Sequence, residues 1–451
     1  MSKSLYIKTF GCQMNERDSE IIEQLLAQEG YVAIAEPEGA DVILINTCSI
    51  REKAEQKVFS LLGSLRTEKA RNPSLLLGVT GCVAQQEGEQ IRERMPHVDL
   101  IVGTQQIYRL PEMLARLQQR ATSKEIATNM ETSFTIPPFQ KLLADAPPSP
   151  TPHGFKRFVT IMQGCDNFCS YCVVPGTRGR EISRPMADIL EEVEILVRQG
   201  VREITLLGQN VNSYGTTNQV AKQQVNFPHL LRRVAAITGL RRLRFTTSHP
   251  KDLSEELMRC FAEIENLCPH FHLPVQSGSN AVLKRMNRKY TVESYLEKVA
   301  KLKEYRPDIA LATDIIVGFP GETEADFQAT LDLLNRVRFH SSFSFKYSDR
   351  PHTRSLDFTD KIQEEVKSKR LATFQERQDQ ICFERNSEYI GSEVEIMAEF
   401  VDGAELKGRT PTNHIVHCMG ADITLTPGDL ATVYINQAGK HSLRGQLKAQ
   451  H

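Results

Sequence analysis

Three times in the first hundred residues, a short run of strand formers gives way to an amphipathic helical pattern with one cysteine at the junction. The runs are Leu5 to Phe10, Val42 to Ile45 and Leu75 to Thr80. The helical patterns carry Ile21 and Leu25, then Val58 and Leu62, then the stretch after Gln85. A spacing of about 35 residues is that of one βα unit, and successive units of this kind build a parallel sheet flanked by helices. The junctions read Gly11-Cys12-Gln13-Met14-Asn15, Asn46-Thr47-Cys48-Ser49-Ile50 and Gly81-Cys82-Val83. In a parallel sheet such turns share the carboxyl ends of the strands, where ligands bind, so Cys12, Cys48 and Cys82 are expected to converge. The alternative is three separate small core residues, a common fate of unpaired cysteine.

Pro137-Pro138 and the run Asp145-Ala146-Pro147-Pro148-Ser149-Pro150-Thr151-Pro152 cannot continue a helix or a central strand. Residues 1–136 are therefore expected to form one domain and 137–152 a linker. Strand and helix patterns then alternate again. The strands are Phe158 to Met162, Glu203 to Leu207, Leu243 to Thr247, Phe271 to Val275, Ala310 to Val317 and Ser342 to Phe345, with helices such as Ala187 to Arg198 and Glu324 to Val337. Six units predict a partial (β/α)6 barrel over residues 153–386, with active residues on the loops after the strands. A charged helix over 361–390 leads past Gly391 into alternating strand formers, Val394, Ile396 and Ala398, predicting a small β-barrel over 387–451. The fold class is α/β with this β appendage.

The balance of 55 Lys+Arg against 56 Asp+Glu, with 40% apolar residues, excludes a disordered polyelectrolyte and a wholly basic nucleic-acid coat. Residues 1–150, 151–386 and 387–451 carry −3, +5 and −3, so basic surface is concentrated in the middle. Its clusters are Arg232-Arg233, Arg241-Arg242 with Arg244, and Lys284-Arg285 with Arg288-Lys289, which suit RNA phosphates or a solvated face. No apolar run reaches the ~18 residues of a membrane span, and Met1-Ser2-Lys3-Ser4-Leu5-Tyr6 lacks the apolar core of an export signal. A cytoplasmic protein without membrane contact is expected. In that reducing setting ten cysteines are read for metal or redox chemistry.

Cys165-x-x-x-Cys169-x-x-Cys172 is the sharpest such spacing. Three thiolates can ligate three irons of a [4Fe-4S] cube and leave the fourth iron open, unlike the four-cysteine sets of electron carriers. The alternatives are zinc, which usually takes a fourth Cys or His, and unrelated buried thiols. Cys260, Cys268, Cys382 and Cys418 share no spacing and are read as core filling. His249 in Thr247-Ser248-His249-Pro250 is left unassigned.

The segment Gly164-Cys165-Asp166-Asn167-Phe168-Cys169-Ser170-Tyr171-Cys172-Val173-Val174-Pro175 resembles the signature of radical S-adenosylmethionine (SAM) enzymes, Tyr171 included. The three earlier junctions, with Arg51-Glu52-Lys53-Ala54, add a close resemblance to the MiaB-type tRNA methylthiotransferases. It continues through His272-Leu273-Pro274-Val275-Gln276-Ser277-Gly278-Ser279, Met286-Asn287-Arg288-Lys289-Tyr290 and Asp314-Ile315-Ile316-Val317-Gly318-Phe319-Pro320-Gly321-Glu322-Thr323. The resemblance implies an N-terminal methylthiotransferase domain, a radical SAM core and a C-terminal TRAM domain.

It further implies two [4Fe-4S] clusters and SAM. Cys165, Cys169 and Cys172 would hold the cluster that binds SAM, and Cys12, Cys48 and Cys82 an auxiliary cluster serving sulfur transfer. A reduced low-potential cluster can pass one electron to the SAM sulfonium and release a radical able to take hydrogen from an unactivated C–H bond, which no side-chain acid or base can do. Gly208-Gln209-Asn210 and Gly318 stand where the superfamily contacts SAM, although glycines after strands also serve turns. The tail resembles a TRAM RNA binder at Leu406-Lys407-Gly408-Arg409-Thr410. Its net −3 suits that role only if Lys407, Arg409, Lys440, Arg444 and Lys448 gather on one side. His414 and Gly176 depart from the family pattern.

The implied reaction is methylthiolation at C2 of N6-isopentenyladenosine beside a tRNA anticodon. The enzyme would be a monomer that binds the anticodon stem-loop and receives electrons from a flavodoxin- or ferredoxin-like donor. Alternatives within the family act on threonylcarbamoyl-adenosine in tRNA or on a ribosomal-protein aspartate. A protein of another class, a two-cluster electron carrier, would cleave no SAM.

Overall fold

The computed structural model describes residues 3–49, 52–119, 124–131, 134–140, 154–216, 225–420 and 423–448. Ile50, Arg51 and most of the expected linker lie outside these residues.

The first sheet has six parallel strands: β1 Lys3–Thr9, β2 Tyr31–Ala33, β3 Val42–Thr47, β4 Leu76–Gly81, β5 Leu100–Val102 and β6 Glu125–Ala127. Their order is β2-β1-β3-β4-β5-β6. Direction along the sheet reverses between β1 and β3, so the chain leaves these neighbours toward opposite faces and opens a crevice at their carboxyl ends. All six residues of β3 are buried, as a strand covered on both faces requires. Val42 and Leu44 pack with Ile21, Ile22 and Leu26 of helix Gln13–Gln28, while Ile43 and Ile45 pack with Val58, Leu62, Val83 and Ile91 on the opposite face. Strands β2, β5 and β6 were not anticipated, because three residues are too few to show alternation.

The middle of the chain forms β7 Lys156–Thr160, an antiparallel ribbon of β8 Met162–Gln163 and β9 Ile182–Ser183, and then β10 Glu203–Leu207, β11 Arg242–Phe245, β12 His270–His272, β13 Ala310–Val317 and β14 Ser341–Lys346. Two parallel sheets, β11-β10-β7 and β12-β13-β14, are joined by a parallel bridge between Leu243 and Leu267. The result is the open six-stranded βα array expected from the sequence. Ile204, Leu206, Leu243, Phe245, Phe271, Leu273, Leu311 and Ile315 pack toward the surrounding helices. The alternate residues, Arg242, Arg244, His272 and Asp314 among them, therefore line the inner face.

Helix Glu364–Ser387 covers β14 and leads into a closed barrel ordered β15-β16-β17-β19-β18. Its strands are β15 Glu393–Asp402, β16 Glu405–Arg409, β17 Ile415–Met419, β18 Leu430–Ala438 and β19 Ser442–Leu447. The barrel docks on the amino-terminal ends of the inner strands. Arg242 donates to the Arg409 carbonyl at 2.7 Å, and Arg244 to the Thr410 and Pro411 carbonyls at 3.0 and 2.9 Å.

Candidate functional site

Glycine sets the geometry of the first three cysteines. Gly11 has φ +129°, and a Cβ there would lie 2.1 Å from the Cys48 Cβ. Gly81 has φ +92°, and its Cβ would lie 2.4 Å from the Thr47 carbonyl oxygen. Without a side chain, the turns after β1 and β4 can both close on the end of β3. Asn46 ties them further, donating to the Asn15 carbonyl at 2.8 Å and to Ser19 Oγ at 2.9 Å. A hydrogen bond from Cys48 and the charge of Arg178 hold the Cys12 thiol down at about 6, against the opposing effect of burial. Burial pushes Cys82 up, while Arg178 pulls the other way. The three thiols are electrostatic neighbours, as the strand-end argument requires.

The second set follows β7 and β8. Gly164, at φ +81°, begins the loop, and its amide donates to Gln209 Oε1 at 2.5 Å. Asn167 Nδ2 lies 3.5 Å from Cys165 Sγ, and Asn167 Oδ1 accepts from Lys251 Nζ at 2.7 Å. Arg288 directs Nη1 to Cys169 Sγ at 3.4 Å and Nη2 to the Pro274 carbonyl at 2.9 Å. Tyr171 packs edge-on against Phe319 at 6.3 Å. Burial, then the neighbouring Cys169, push Cys172 up to about 12. Such a thiol becomes a ligand only when a metal displaces its proton.

Arg178, at the end of the short helix Val174–Arg178 that follows these cysteines, crosses to the other triplet. Its guanidinium is 3% exposed and donates to Asp18 Oδ2 at 2.7 Å and Asn15 Oδ1 at 3.2 Å. Thr104 Oγ1 donates to the Thr177 carbonyl at 2.5 Å, and Glu192 is shared by Arg17 and Arg184. Sequence reasoning missed Arg178, although the basic run Arg178-Gly179-Arg180 stands beside the cysteines.

The loops after β10 and β11 hold an unusual density of buried polar atoms without partners among the described residues: Gln209 Nε2, Asn210 Oδ1, both amide atoms of Asn212, Ser248 Oγ and His249 Nε2. His249, 5% exposed, packs edge-on to Tyr290 at 5.6 Å, and burial followed by the charge of Arg288 pushes it down to about 2. Orphaned donors and acceptors of this kind suit a ligand with amino, carboxylate and hydroxyl groups. Gly208 lies tight against Met162, and Gly318, at φ +69°, is covered by Lys367, so packing by itself accounts for both glycines.

The basic clusters are largely spent inside the protein. Arg242 and Arg244 hold the C-terminal barrel, Arg288 the cysteine loop, Arg285 pairs with Asp360, and Arg232 with Glu256 and Glu263. Arg232, Arg242, Arg244, Arg285 and Arg288 are thus engaged within the protein and do not form a continuous RNA face. Cys260, Cys268, Cys382 and Cys418 are buried, as core filling requires.

Among the described residues, no three His, Cys, Asp or Glu side chains are arranged to hold a metal ion. The thiols are neighbours rather than a preformed mononuclear site. Two groups of soft sulfur donors, each braced by positive charge or amide donors, have the chemistry an iron–sulfur cluster needs.

Residues 4–103 match the model of Uncharacterized protein family UPF0004, and residues 159–334 that of the Radical SAM superfamily. A Desulfotalea psychrophila protein named tRNA-2-methylthio-N(6)-dimethylallyladenosine synthase is 56% identical over 447 residues, covering 99% of each chain. One of the same name from Geobacter sulfurreducens is 48% identical over 449 residues, covering 99% of this chain and 98% of its own. Among solved structures, the radical SAM methyltransferase TsrM from Kitasatospora setae gives a TM-score of 0.57 at 13% identity, covering 89% of this chain and 78% of that one. The cobalamin-dependent enzyme OxsB gives 0.53 at 13% identity, covering 84% and 56%. Those two likenesses concern the fold alone. Identity near one half along the entire length, with both cysteine triplets set at strand ends, places the chain in the tRNA-2-methylthio-N(6)-dimethylallyladenosine synthase family of radical SAM proteins.

Proposed function

We propose that this chain is a radical SAM methylthiotransferase that converts N6-isopentenyladenosine, next to a tRNA anticodon, into 2-methylthio-N6-isopentenyladenosine. The observation that carries the reading is two cysteine triplets at neighbouring strand ends, linked by Arg178, in a chain whose near full-length relatives are named for that product. Cys165, Cys169 and Cys172 would hold one [4Fe-4S] cluster and Cys12, Cys48 and Cys82 a second. SAM would lie against the loops after β10 and β11. When bound, these groups supply the one-electron and sulfur chemistry that side chains lack.

The protein's own contribution is placement and exclusion of water. Arg288 and Asn167 fix the second triplet through Cys169 and Cys165. Phe319, Met286 and Val282 form an apolar cluster against Tyr171. An unpaired loop base is the substrate form that can enter such a recess.

The C-terminal barrel would meet the RNA. Register places Phe400, Lys407, His417 and Arg444 in one outward row across β15, β16, β17 and β19. Arg409, Lys440 and Lys448 are paired with Glu399, Asp379 and Glu393, whereas Lys407 and Arg444 have no acidic partner among the described residues. An aromatic ring between free cations suits stacking and phosphate contact.

On this reading the chain divides into a domain over 1–136, a linker over 137–152, a core over 153–386 and an RNA-binding domain over 387–451. It would act in the cytosol as a monomer with a flavodoxin- or ferredoxin-like donor. The deciding experiment is nucleoside mass spectrometry of tRNA from cells lacking the protein. Loss of 2-methylthio-N6-isopentenyladenosine, restored by the gene, is expected; unchanged levels would overturn the assignment.

A further inference from the structure

Strands β12, β13 and β14 carry an inner-face group that none of the preceding roles uses. His272 Nε2 lies 2.9 Å from Asp314 Oδ1, and the imidazole ring stands edge-on to Phe343 at 6.4 Å. Asp314 is the register partner of Phe343. The outer face of β14 is identified by Ser344, which meets Gln375 of the covering helix, and by Lys346, which bonds Ser368 there. Phe343 therefore faces inward, yet it is 55% exposed. A large aromatic ring bare on the inner face of an open barrel is placed to contact a ligand rather than to fill a core.

The polar half of the group is directional. A carboxylate only accepts, so Asp314 takes the His272 Nε2 hydrogen, and in the neutral imidazole Nδ1 is then a lone-pair acceptor. That Nδ1 is buried and has no partner among the described residues. The position relative to the cysteines follows from the chain: Pro274, two residues beyond His272, accepts from the same Arg288 guanidinium that meets Cys169. Two residues of extended chain span about 6.6 Å. The group thus lies one layer beneath the second cysteine loop. Arg244, also on the inner face, holds the carbonyls of Thr410 and Pro411 of the C-terminal barrel.

We infer that His272, Asp314 and Phe343 form the subsite for the target base, with Phe343 stacking on a purine and His272 Nδ1 accepting its exocyclic N6–H. This rests on the proposed tRNA substrate and adds the residues that select the base. Adenine and its singly N6-substituted forms offer that hydrogen. Hypoxanthine offers an oxygen acceptor instead and leaves the buried lone pair opposed.

The test uses the full chain reconstituted with iron and sulfide under anaerobic conditions, in the presence of SAM. Two anticodon stem-loop RNAs are compared, identical except for adenosine or inosine at the target position. The wild-type protein is expected to bind the adenosine form at least tenfold more tightly. Phe343→Ala should weaken that binding roughly tenfold, the loss of one base–aromatic stack, and Phe343→Tyr should restore it. His272→Leu should bring the adenosine-to-inosine ratio close to one. An unchanged ratio in His272→Leu, or variants that lose SAM affinity while both RNA affinities hold, would overturn the subsite. Failure of the wild-type protein to bind the same stem-loop carrying N6-isopentenyladenosine would overturn the tRNA reading itself, and the subsite with it.

Discussion

Arg178 donates to Asp18 Oδ2 at 2.7 Å, and through this buried pair the segment following one cysteine triplet is anchored beside the other. Asp18 lies on the helix begun by Cys12, and Arg178 ends the helix that follows Cys172. The guanidinium also lowers the cost of charge on Cys12 and Cys82. One residue thus couples the packing of two domains to the electrostatics of a thiol set.

Removing one member of this pair strands the other in a dry environment. Arg178→Ala should cost roughly 3–5 kcal/mol in unfolding free energy, read from denaturant melts of the apo-protein. Arg178→Ala combined with Asp18→Ala should recover part of that loss. A single variant as stable as the wild type would show that the pair is solvated.

Gly11→Ala tests the close approach of β1 to β3. Its Cβ would collide with Cys48 in a backbone region that L-residues avoid, so a loss well above about 1 kcal/mol is expected. Iron bound after reconstitution should fall by about half, because the second triplet is untouched. Full iron occupancy would contradict the shared site.

Replacing Cys12, Cys48 and Cys82 together should likewise leave one cluster, and replacing Cys165, Cys169 and Cys172 should leave the other. Iron and sulfide analysis with electron paramagnetic resonance of each triple variant is the measurement. Equal iron in both variants and the wild type would remove the two-cluster assignment.

His270, His340 and His414 meet where the C-terminal barrel docks, with Arg385 and Arg244 close by. Burial first, then these cations and neighbouring imidazoles, push the three down to about 3, 2 and 4. Each is neutral in the folded protein while the unfolded chain binds a proton below about 6.5, so stability falls as pH drops through that value. The loss should approach 1.4 kcal/mol per pH unit per histidine. Limited proteolysis between pH 7 and 5 should show release of the C-terminal barrel, and pH-independent cleavage would refute the coupling.

The outward row on that barrel makes a salt prediction. Lys407→Ala with Arg444→Ala should weaken tRNA binding and lower the slope of log affinity against log salt by roughly 1 to 2. Arg409→Ala, which removes a residue paired with Glu399, should change the slope less. Equal effects would deny the row its special role.

Periodicity and spacing made much of this protein legible. The βα units of the first sheet, the six strands of the middle and the helix at Glu364–Ser387 follow from local patterns, because side-chain alternation reflects which face is buried. The cysteine spacing singled out the proposed donor atoms for the same reason: soft ligands at short intervals are a local property. Tertiary structure alone decided what surrounds them. Arg178, Arg288 and Lys251 reach their partners across 160, 119 and 84 residues of sequence, and whether a basic residue faces water, RNA or a buried thiol depends on which strand ends the fold brings together. The same limit applies to His272, Asp314 and Phe343, whose common inner face is set by parallel register between separate strands and not by any pattern within one of them.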